Sequence, residues 1–256
     1  MKRSFVVLLW CVLPVASALG QLGPCATPIG PKLPDLIVHK DKLEAQWHIE
    51  QSEFPPGSCT VLEGCISGTG KRRLLRFTSN TPNVGDADLF IGNPSDCLGN
   101  LFRFSECHQH LHFSEYADYR LWTPGGYQAW IAQRDPNKAT NEGKNAKLLE
   151  RLRRSGDLVV GRKQGFCVID VVPYPEGVKN PPRPKYFSCS SNQGISVGYA
   201  DEYHFTLGCQ FIDITDVAPG DYILEVEVNP ERLFPESNYT NNSAAILVKI
   251  TKGPGR

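Results

Sequence analysis

The chain has 256 residues, with 27 basic and 27 acidic side chains and six histidines, so it carries no formal net charge. A chain of this length forms one sizeable domain or two small ones. The balanced charge argues against nucleic acid as a partner, because nucleic-acid-binding domains usually present a basic surface.

The N-terminus has the features of a secretory signal. Lys2 and Arg3 precede an apolar run at residues 5–15, and the small residues Ala16-Ser17-Ala18 follow. The run is too short to span a membrane, and no later segment reaches membrane-spanning length. We therefore expect residues 1–18 to be a signal peptide and the mature protein to be secreted into the extracellular space.

The cysteine count favours an oxidising compartment. Of nine cysteines, Cys11 lies in the signal and eight remain. An even number in an exported chain indicates disulfides, although the sequence alone does not choose the pairing. There is no CxxC pair, which weakens zinc-finger and thioredoxin interpretations. The remaining eight are Cys25, Cys59, Cys65, Cys97, Cys107, Cys167, Cys189 and Cys209.

After an irregular Pro/Gly-rich arm at residues 19–34, the chain has the pattern of many short strands. Residues 43–49 alternate apolar and polar side chains, which predicts a half-buried strand with His48 on its wet side and without a metal role. Turn residues between the strands favour an all-β fold over alternating β and α units, as a single sandwich-like domain at residues 35–256 with long loops. The predicted strands are 35–38, 43–49, 73–78, 88–91, 102–122, 166–172, 210–214, 222–228 and 244–250.

One stretch lacks a strand period. Residues 137–154 place Leu148, Leu149 and Leu152 at helical spacing, which predicts a short surface helix within an insertion at about residues 124–160. The basic residues at 151–154 suit either an acidic partner or a solvated helix face, and we favour the second interpretation.

Half of the histidines stand at alternate positions in one short segment, as His108, His110 and His112. In an extended strand, side chains at i, i+2 and i+4 point to one face, so these imidazoles would converge. Three neutral imidazoles suit copper, zinc, iron or nickel, and the spacing does not choose among them. The pattern therefore predicts a metal site, with a solvent-facing polar stripe as the alternative.

The segment Cys107-His108-Gln109-His110-Leu111-His112 resembles the copper motif of the lysyl oxidases. Four more segments resemble that family in the same order, at residues 73–77, 161–167, 209–217 and 235–242, so the match covers about residues 35–250. The resemblance implies a copper-dependent amine oxidase that uses O₂ to convert primary amines, such as peptidyl lysine, to aldehydes. It also implies release of ammonia and hydrogen peroxide, and a lysine tyrosylquinone cofactor made from the chain itself.

The same resemblance assigns residues to the site. It makes His108, His110 and His112 the copper ligands, Lys163 the cofactor lysine and Tyr203 the cofactor tyrosine. Tyr199 ranks second as the tyrosine because its offset from Cys209 does not match, and His204 is a base, a fourth ligand or an incidental exposed histidine. The disulfides that the family implies are Cys59–Cys107, Cys65–Cys209 and Cys167–Cys189, which leaves Cys25 with Cys97.

A second metal site, for calcium, is implied by the family at two distant segments. All of its residues offer oxygen atoms, which calcium prefers, and Asn238 stands where the family has an acid, which lowers the expected affinity. An asparagine-rich turn and glycosylation at two acceptor patterns, beginning at Asn238 and Asn241, are the alternatives. The implied ligands are Asp35, Leu36 through its carbonyl, Glu236, Asn238, Asn241 and Asn242.

Two other function classes stay open. A non-enzymatic, adhesion-type β-sandwich module with a structural metal site explains the segments at residues 35–38 and 229–242 but not the histidines. A cupin-like metal dioxygenase would use His108, His110 and Glu115, yet the chain lacks a second half-motif downstream. The family's acidic Asp-x-Asp before Cys209 is replaced by Thr206-Leu207-Gly208, so the general base and the preference for cationic protein substrates are undetermined.

Overall fold

The computed structural model describes residue 25 and residues 30–97, 101–163 and 165–253. The predicted signal peptide at residues 1–18 lies outside the described residues, as does most of the arm at residues 19–34. Within the described ranges, no helix has the length and apolar character needed to cross a bilayer.

The predicted all-β class is confirmed. Strands outnumber helices among the described elements, and the few helices are short. The strands are β1 Trp47–Phe54, β2 Gly70–Phe77, β3 Ser79–Pro82, β4 Leu89–Gly92, β5 Phe102–Ser105, β6 His110–Phe113, β7 Ala117–Trp122, β8 Leu158–Val160, β9 Val172–Pro173, β10 Gln193–Ile195, β11 Tyr199–Tyr203, β12 Phe211–Asp213, β13 Gly220–Val228 and β14 Ser243–Ile250. The helices are α1 Lys40–Ala45, α2 Cys59–Leu62, α3 Pro124–Gln133 and α4 Gly143–Arg154, and a 3₁₀ turn spans Pro94–Asp96.

The strands pair into several small antiparallel sheets around one main apolar core, and two smaller buried clusters lie beside it. The largest sheet has the order β14-β13-β7-β8, and two three-stranded sheets have the orders β1-β2-β12 and β3-β11-β9. The pairs β10-β4 and β5-β6 complete the frame. Phe77, Phe113 and Phe166 are fully buried where these sheets meet. The site described below lies around β6, in the two-stranded sheet β5-β6, and β11, the central strand of the sheet β3-β11-β9.

Four strand predictions were wrong in part. The predicted strand at residues 102–122 is three strands, β5, β6 and β7, separated by turns, and residues 35–38 form only one bridge, Leu36 to Asn83. Residues 43–45 end helix α1, so the alternation read from residue 43 onwards belongs to a strand only from Trp47. Leu43 is still fully buried, because a single apolar position reaches the core from a short helix as well as from a strand. At residues 166–172 the backbone forms one bridge, Phe166 to Phe113, and then the two-residue strand β9.

The insertion contains two helices, of which the sequence predicted one. Leu148 and Leu152 of α4 are buried against Trp122 and Trp130, as their spacing predicts. The preceding helix α3 begins with Thr123 as its N-cap, whose hydroxyl accepts the Gly126 N–H at 3.1 Å, and with Pro124 in the first turn. Because Gly125 and Gly126 weaken a helical pattern, this helix has little signal in the sequence.

Four disulfides cross-link the fold. They are Cys25–Cys97, Cys59–Cys107, Cys65–Cys209 and Cys167–Cys189. The last three are the pairs that the family resemblance implies, and the first is the pair that it leaves. Three of them begin or end next to segments that carry candidate site residues. Such links restrict the unfolded chain and hold distant segments together without a large apolar interface.

Candidate active site

The histidine segment is a turn that leads into a strand, and it is not one continuous strand. β6 begins at His110, whereas His108 lies in the preceding turn, where Gln109 has a φ of 56°. The turn is closed by the Gln109 N–H, which donates to the Ser105 carbonyl at 2.8 Å. The Ser105 hydroxyl also accepts the His108 N–H at 3.1 Å. The simple strand alternation therefore holds for His110 and His112 only, and the turn brings the third imidazole to them.

The three imidazoles nevertheless converge. His112 Nε2 lies 3.0 Å from His110 Nε2 and 3.2 Å from His108 Nδ1. With metal–nitrogen distances of about 2.0 Å, these separations correspond to angles of about 100° at a shared ion. One nitrogen from each ring lies within 4.8 Å of the other two. The donor set therefore fits a single transition-metal ion with its remaining positions open.

The surroundings of two of the rings, His112 and His110, suit metal binding. Burial, followed by the charges of His110 and His108, lowers the pKa of His112 to about 4, so its ring is neutral and its lone pair is free at neutral pH. His110 Nδ1 lies 2.9 Å from the His108 carbonyl oxygen, which can only accept. That contact puts the His110 proton on Nδ1 and leaves Nε2 to face the cluster.

Glu63 is a nearby charged group that the sequence analysis missed. Its carboxylate lies 3.6 Å from His108 Nδ1 and accepts the Ser105 hydroxyl at 2.5 Å. Its charge also raises the pKa values of His112 and Lys163 in opposition to their burial. No spacing in the sequence relates Glu63 to the histidines, because the Cys59–Cys107 disulfide brings the two segments together.

The loop that carries Lys163 is fixed on both sides of that residue. Phe166 and Phe113 exchange backbone hydrogen bonds of 2.9 and 2.6 Å, which attach the loop to β6. On the other side, the Gly161 N–H donates to the Tyr119 carbonyl at 2.7 Å. A Cβ at Gly165 would lie 2.5 Å from the His112 ring, so only glycine permits this close approach. Lys163 is therefore held next to the imidazole cluster.

Lys163 also lies on the ring of Tyr203. Its Nζ is 4.7 Å from the centroid of the Tyr203 ring and 5.2 Å from that of Phe166. Burial lowers the pKa of Lys163 to about 8, whereas the charges of Asp201 and Glu63 act in the opposite direction. A substantial fraction of this amine is therefore unprotonated near neutral pH, and it faces an aromatic ring.

Tyr203 ends strand β11 and is buried, with 9 % of its surface exposed. Its hydroxyl donates to the Cys167 carbonyl at 2.8 Å, and its ring meets Phe166 edge to face at 5.2 Å. Burial and the nearby Asp201 carboxylate raise its pKa well above the ordinary value for tyrosine. The phenol is therefore protonated and fixed in orientation.

Asp201 is the second residue that the sequence analysis missed. It lies two positions before Tyr203 on β11, so both side chains project from the same face of the strand. It is 1 % exposed, and its Oδ2 has no hydrogen-bond partner. Burial raises its pKa well above the ordinary value, and the charge of Lys163 lowers it. A buried carboxyl group with an oxygen that lacks a hydrogen-bond partner, close to a half-buried amine, is typical of a functional site.

A cavity of about 410 Å³ opens over the histidines and Lys163. His108, His112 and Lys163 line it together with Glu63, whereas Tyr203 is not among its lining residues. Lys163 therefore contributes to the cavity and at the same time contacts the ring of Tyr203. No residue of α3 or α4 lines this cavity, so the insertion does not cover it.

The competing residues lie elsewhere. The Tyr199 hydroxyl donates to the Pro182 carbonyl at 2.5 Å, and no cation of the described residues lies over its ring. His204 Nδ1 is 2.8 Å from the Thr206 hydroxyl, and His204 does not line the cavity. Glu115, the third ligand of the cupin alternative, is absent from the imidazole cluster of the described chain. His48 lies on β1 with its ring against Phe205.

The segments of the implied calcium site also meet, mainly through hydrogen bonds. Glu236 is buried and accepts the Leu36 N–H at 2.6 Å and the Asn242 amide at 2.7 Å, and Asn241 donates to Asp35 at 2.8 Å. The side-chain oxygens of Asn241 and Asn242 are buried without partners. Asn238 differs from the rest, because its oxygen accepts from the backbone and hydroxyl of Thr240 at 2.9 and 2.7 Å.

Fold and site together define a disulfide-linked β-protein with a three-imidazole cluster beside a half-buried lysine and a buried tyrosine. The family model described as lysyl oxidase matches residues 34–132 and 148–253. The unmatched stretch, residues 133–147, falls between the end of α3 and the first turns of α4. This chain belongs to the lysyl oxidase family.

Several curated proteins are similar to this chain. It is 33 % identical over 220 residues to lysyl oxidase homolog 2A of Danio rerio. The aligned residues are 82 % of this chain and 24 % of that protein. It is 30 % identical over 230 residues to the human protein-lysine 6-oxidase, with 86 % and 46 % covered, and 30 % identical over 232 residues to human lysyl oxidase homolog 1, with 87 % and 34 % covered. The chain thus spans less than half the length of these relatives.

Proposed function

We propose that this protein is a secreted, copper-dependent amine oxidase that converts primary amines to aldehydes with O₂ and releases ammonia and hydrogen peroxide. The observation that carries this proposal is the position of Lys163, whose Nζ lies 4.7 Å from the centroid of the Tyr203 ring and which lines the same cavity as His108 and His112. The relatives named protein-lysine 6-oxidase support the reaction class. The disulfides and the predicted signal support secretion.

His108, His110 and His112 hold the copper in this proposal. When bound, copper with O₂ supplies the oxidation of Tyr203 to a quinone that Lys163 joins, and the resulting lysine tyrosylquinone supplies the amine oxidation. Neutral imidazoles suit this role because only an unprotonated nitrogen ligates a metal. The low pKa of His112, about 4, keeps its ring in that form at neutral pH.

Lys163 and Tyr203 form the cofactor in this proposal. Only a free amine is a nucleophile, and burial supplies it by lowering the pKa of Lys163 to about 8. The hydrogen bond from the Tyr203 hydroxyl to the Cys167 carbonyl fixes the ring that the amine faces. Asp201 is the nearby buried carboxyl group that can accept a proton from this pair.

The substrates in this proposal are primary amines, either small amines or lysine side chains of extracellular proteins. The two other function classes explain less of the site. An adhesion-type module gives no reason for a half-buried amine over a buried phenol, and a cupin-like dioxygenase needs Glu115 at the imidazoles, where the described structure does not have it.

A proteolytic digest of copper-loaded protein tests the mechanism. We expect mass spectrometry to detect the peptides containing Lys163 and Tyr203 joined covalently, and peroxide release from amines to be blocked by hydrazines. Lys163→Arg and Tyr203→Phe should each abolish the joined peptide. If copper-loaded wild-type protein yields both peptides free and unmodified, the amine-oxidase mechanism is wrong. If a His110→Ala variant retains one full equivalent of copper, the copper site lies at other residues.

We further propose a calcium site at Asp35, Leu36, Glu236, Asn241 and Asn242, with Asn238 as a weaker contributor. The two asparagine oxygens without partners support it, because they are free to coordinate an ion. Calcium should raise the melting temperature of wild-type protein relative to EDTA, and Glu236→Gln should abolish the difference. Glu53→Gln, at an exposed position on β1, is the control. An equal calcium response in wild type and Glu236→Gln would contradict this site.

A further inference from the structure

Helix α4 concentrates positive charge in a chain whose total charge is balanced. Its twelve residues, Gly143–Arg154, include five basic side chains and one acidic side chain, Glu150. The flanking residues do not cancel this excess, because residues 138–157 contain six basic and three acidic residues. A charge excess confined to one helix creates a positive potential over that part of the surface.

Four of these basic side chains form one stripe along α4. Because an α-helix turns about 100° and rises 1.5 Å per residue, the four lie within about 80° of its circumference and along about 15 Å of its axis. Three of them line a shallow groove, to which the described chain contributes one acidic residue, Glu150. The stripe consists of Lys144, Lys147, Arg151 and Arg154, and all four are exposed.

The stripe is presented rigidly, because a different side of α4 is anchored in the protein. Leu148 and Leu152 are buried in a cluster with two tryptophans. Asn145 fixes the loop before the helix, since its amide donates to the Asp135 carbonyl and its Oδ1 accepts the Asp135 N–H, both at 2.9 Å. A ligand therefore meets a preformed surface and does not bear the cost of ordering it.

The basic side chains of the stripe keep most of their hydrogen-bonding capacity. Lys144 and Lys147 form no hydrogen bond or ion pair with any residue that the structure describes. Arg151 donates to the Gln133 side chain at 2.9 Å, and Arg154 donates through Nε to a carboxylate of its own helix at 2.7 Å. A guanidinium group has five N–H donors, so these contacts orient the two arginines and leave further donors for a ligand.

Acidic side chains around α4 do not neutralise the stripe. Glu150 is shared between two arginines of the helix. Asp157, which follows the helix, accepts two hydroxyl hydrogen bonds at 2.6 Å. Asp118, on the neighbouring strand β7, is paired with Arg120. Glu142, at the N-cap, is included in the count of flanking charges that leaves a positive excess.

We propose that this stripe of α4 binds a linear sulfated polysaccharide. Sulfate oxygens accept the paired N–H donors of arginine and the point charge of lysine, and a linear polymer matches charges arranged in a line. The four disulfides and the predicted signal indicate an extracellular compartment, which is where such polymers occur. The sequence pattern alone favoured a solvated face, whereas the rigid stripe and the lysines without a described partner favour a ligand.

Two other kinds of partner fit this helix less well. No large hydrophobic side chain of α4, all of whose residues the structure describes, is exposed. A protein interface usually has a buried apolar anchor, and a helix that lies on a bilayer inserts an apolar face. The leucines that could insert are packed against the protein instead. The interaction is also independent of the proposed oxidase activity, because no residue of α4 lines the cavity over Lys163.

Binding of a labelled heparin dodecasaccharide to the secreted protein tests the proposal, with fluorescence anisotropy in about 0.15 M salt as the readout. The combined variant Lys144→Gln, Lys147→Gln and Arg151→Gln should bind at least tenfold more weakly, because each cation near a polyanion contributes about fivefold. The slope of log Kd against log salt should fall by about two in this variant. Equal affinity in the variant and the wild type would overturn the proposal.

A charge-matched control separates position from total charge. The combined variant Lys71→Gln, Lys179→Gln and Arg183→Gln removes the same number of cations at exposed positions outside α4. We expect it to bind heparin within about twofold of wild type, and an equal loss in both variants would contradict a site on α4. If the first variant does not fold, Lys144→Gln with Lys147→Gln should still weaken binding at least about fivefold.

Competing polyanions test the class of partner. Desulfated heparin of the same length keeps its carboxylates and should bind at least about tenfold more weakly than heparin, because most of its charge is lost. Polyglutamate, and vesicles with about one third phosphatidylserine in phosphatidylcholine, should also bind more weakly at equal anion concentration. If either of them binds α4 as tightly as heparin, the partner is an acidic protein or a membrane and the polysaccharide assignment is wrong.

Discussion

Two buried groups of charges in this protein are built in opposite ways. Around Arg120, which is 1 % exposed, the charges are closely paired: Arg120 contacts Glu227 at 2.6 Å and Glu225 at 3.3 Å. Arg134 and Arg232 add contacts to Glu227 at 3.2 and 2.9 Å. Lys163 and Asp201 are also largely removed from solvent, yet one Asp201 oxygen has no hydrogen-bond partner, and Lys163 faces aromatic rings.

The difference separates a structural cluster from a reactive one. The Arg120 cluster joins β7 and β13 to helix α3, because Arg134 is the C-cap residue of that helix. The guanidinium carbons of Arg120 and Arg134 also lie 5.6 and 5.3 Å from the centroid of the Trp130 ring. Glu225 Oε1 also lacks a hydrogen-bond partner, but it lies 3.7 Å from Arg134. Each carboxylate of this cluster therefore contacts a guanidinium group, which keeps its charge fixed. Incomplete pairing at Lys163 and Asp201 lets protonation states shift, which is what proton transfer and nucleophilic chemistry require.

Replacing the amine should have the largest effect. Lys163→Arg keeps a cation at this position but removes the nucleophile, because a guanidinium group does not deprotonate in proteins. We expect peroxide release to fall by about four orders of magnitude and the fold to persist by circular dichroism. Lys185→Arg, at an exposed lysine paired with Asp88, should change neither. Substantial peroxide release by Lys163→Arg would show that Lys163, like Arg120, has a role in stability and not in the reaction.

Removing the central arginine should have the next largest effect, and on stability alone. Arg120→Met leaves Glu225 and Glu227 buried without their main partner, so we expect the free energy of unfolding to fall by about 3–5 kcal/mol. Denaturant unfolding with the disulfides intact measures it. Replacing both glutamates by glutamine in the same variant should recover part of the loss. A loss under about 1 kcal/mol would mean that the pairing adds little over an apolar contact.

A smaller effect is expected on the protonation of Lys163. Its acylation in metal-free protein should have a midpoint near pH 8, because burial lowers its pKa to about 8. The Asp201 carboxylate stabilises the ammonium form, so Asp201→Asn should move the midpoint lower still, by about one pH unit. Glu202→Gln, next on the same strand and paired with Lys42, is the control. An unchanged midpoint in Asp201→Asn would show that the two groups do not interact.

The smallest effect is expected for an exposed ion pair. Glu150 contacts Arg154 at 2.7 Å and Arg153 at 3.3 Å on the solvated side of α4. Solvent screens such pairs, so Glu150→Ala should leave the midpoint of denaturant unfolding within the scatter of replicate measurements. A loss as large as that of Arg120→Met would remove the distinction between buried and exposed pairing.

The sequence by itself determined the fold class and the residue types of the candidate site. Local patterns were sufficient for the longer strands, such as β13 and β14, and for the two leucines that bury α4, since these depend on the spacing of apolar residues within one element. Helix α1 was misread, because three alternating residues next to a true strand continue its pattern. The segment with alternate histidines was identified without any knowledge of the turn at Gln109.

Only the tertiary structure decided which of these residues meet. Lys163 lies over Tyr203 because the Phe113–Phe166 bridge attaches one loop to β6 while β11 pairs with β3, and neither pairing leaves a signal in local sequence. Glu63 lies near His108 because a disulfide joins their two segments. Asp201 becomes a candidate site residue only because the packed core leaves its Oδ2 without a hydrogen-bond partner. Contacts between residues far apart in the chain depend on how sheets pack, which is a property of the whole fold.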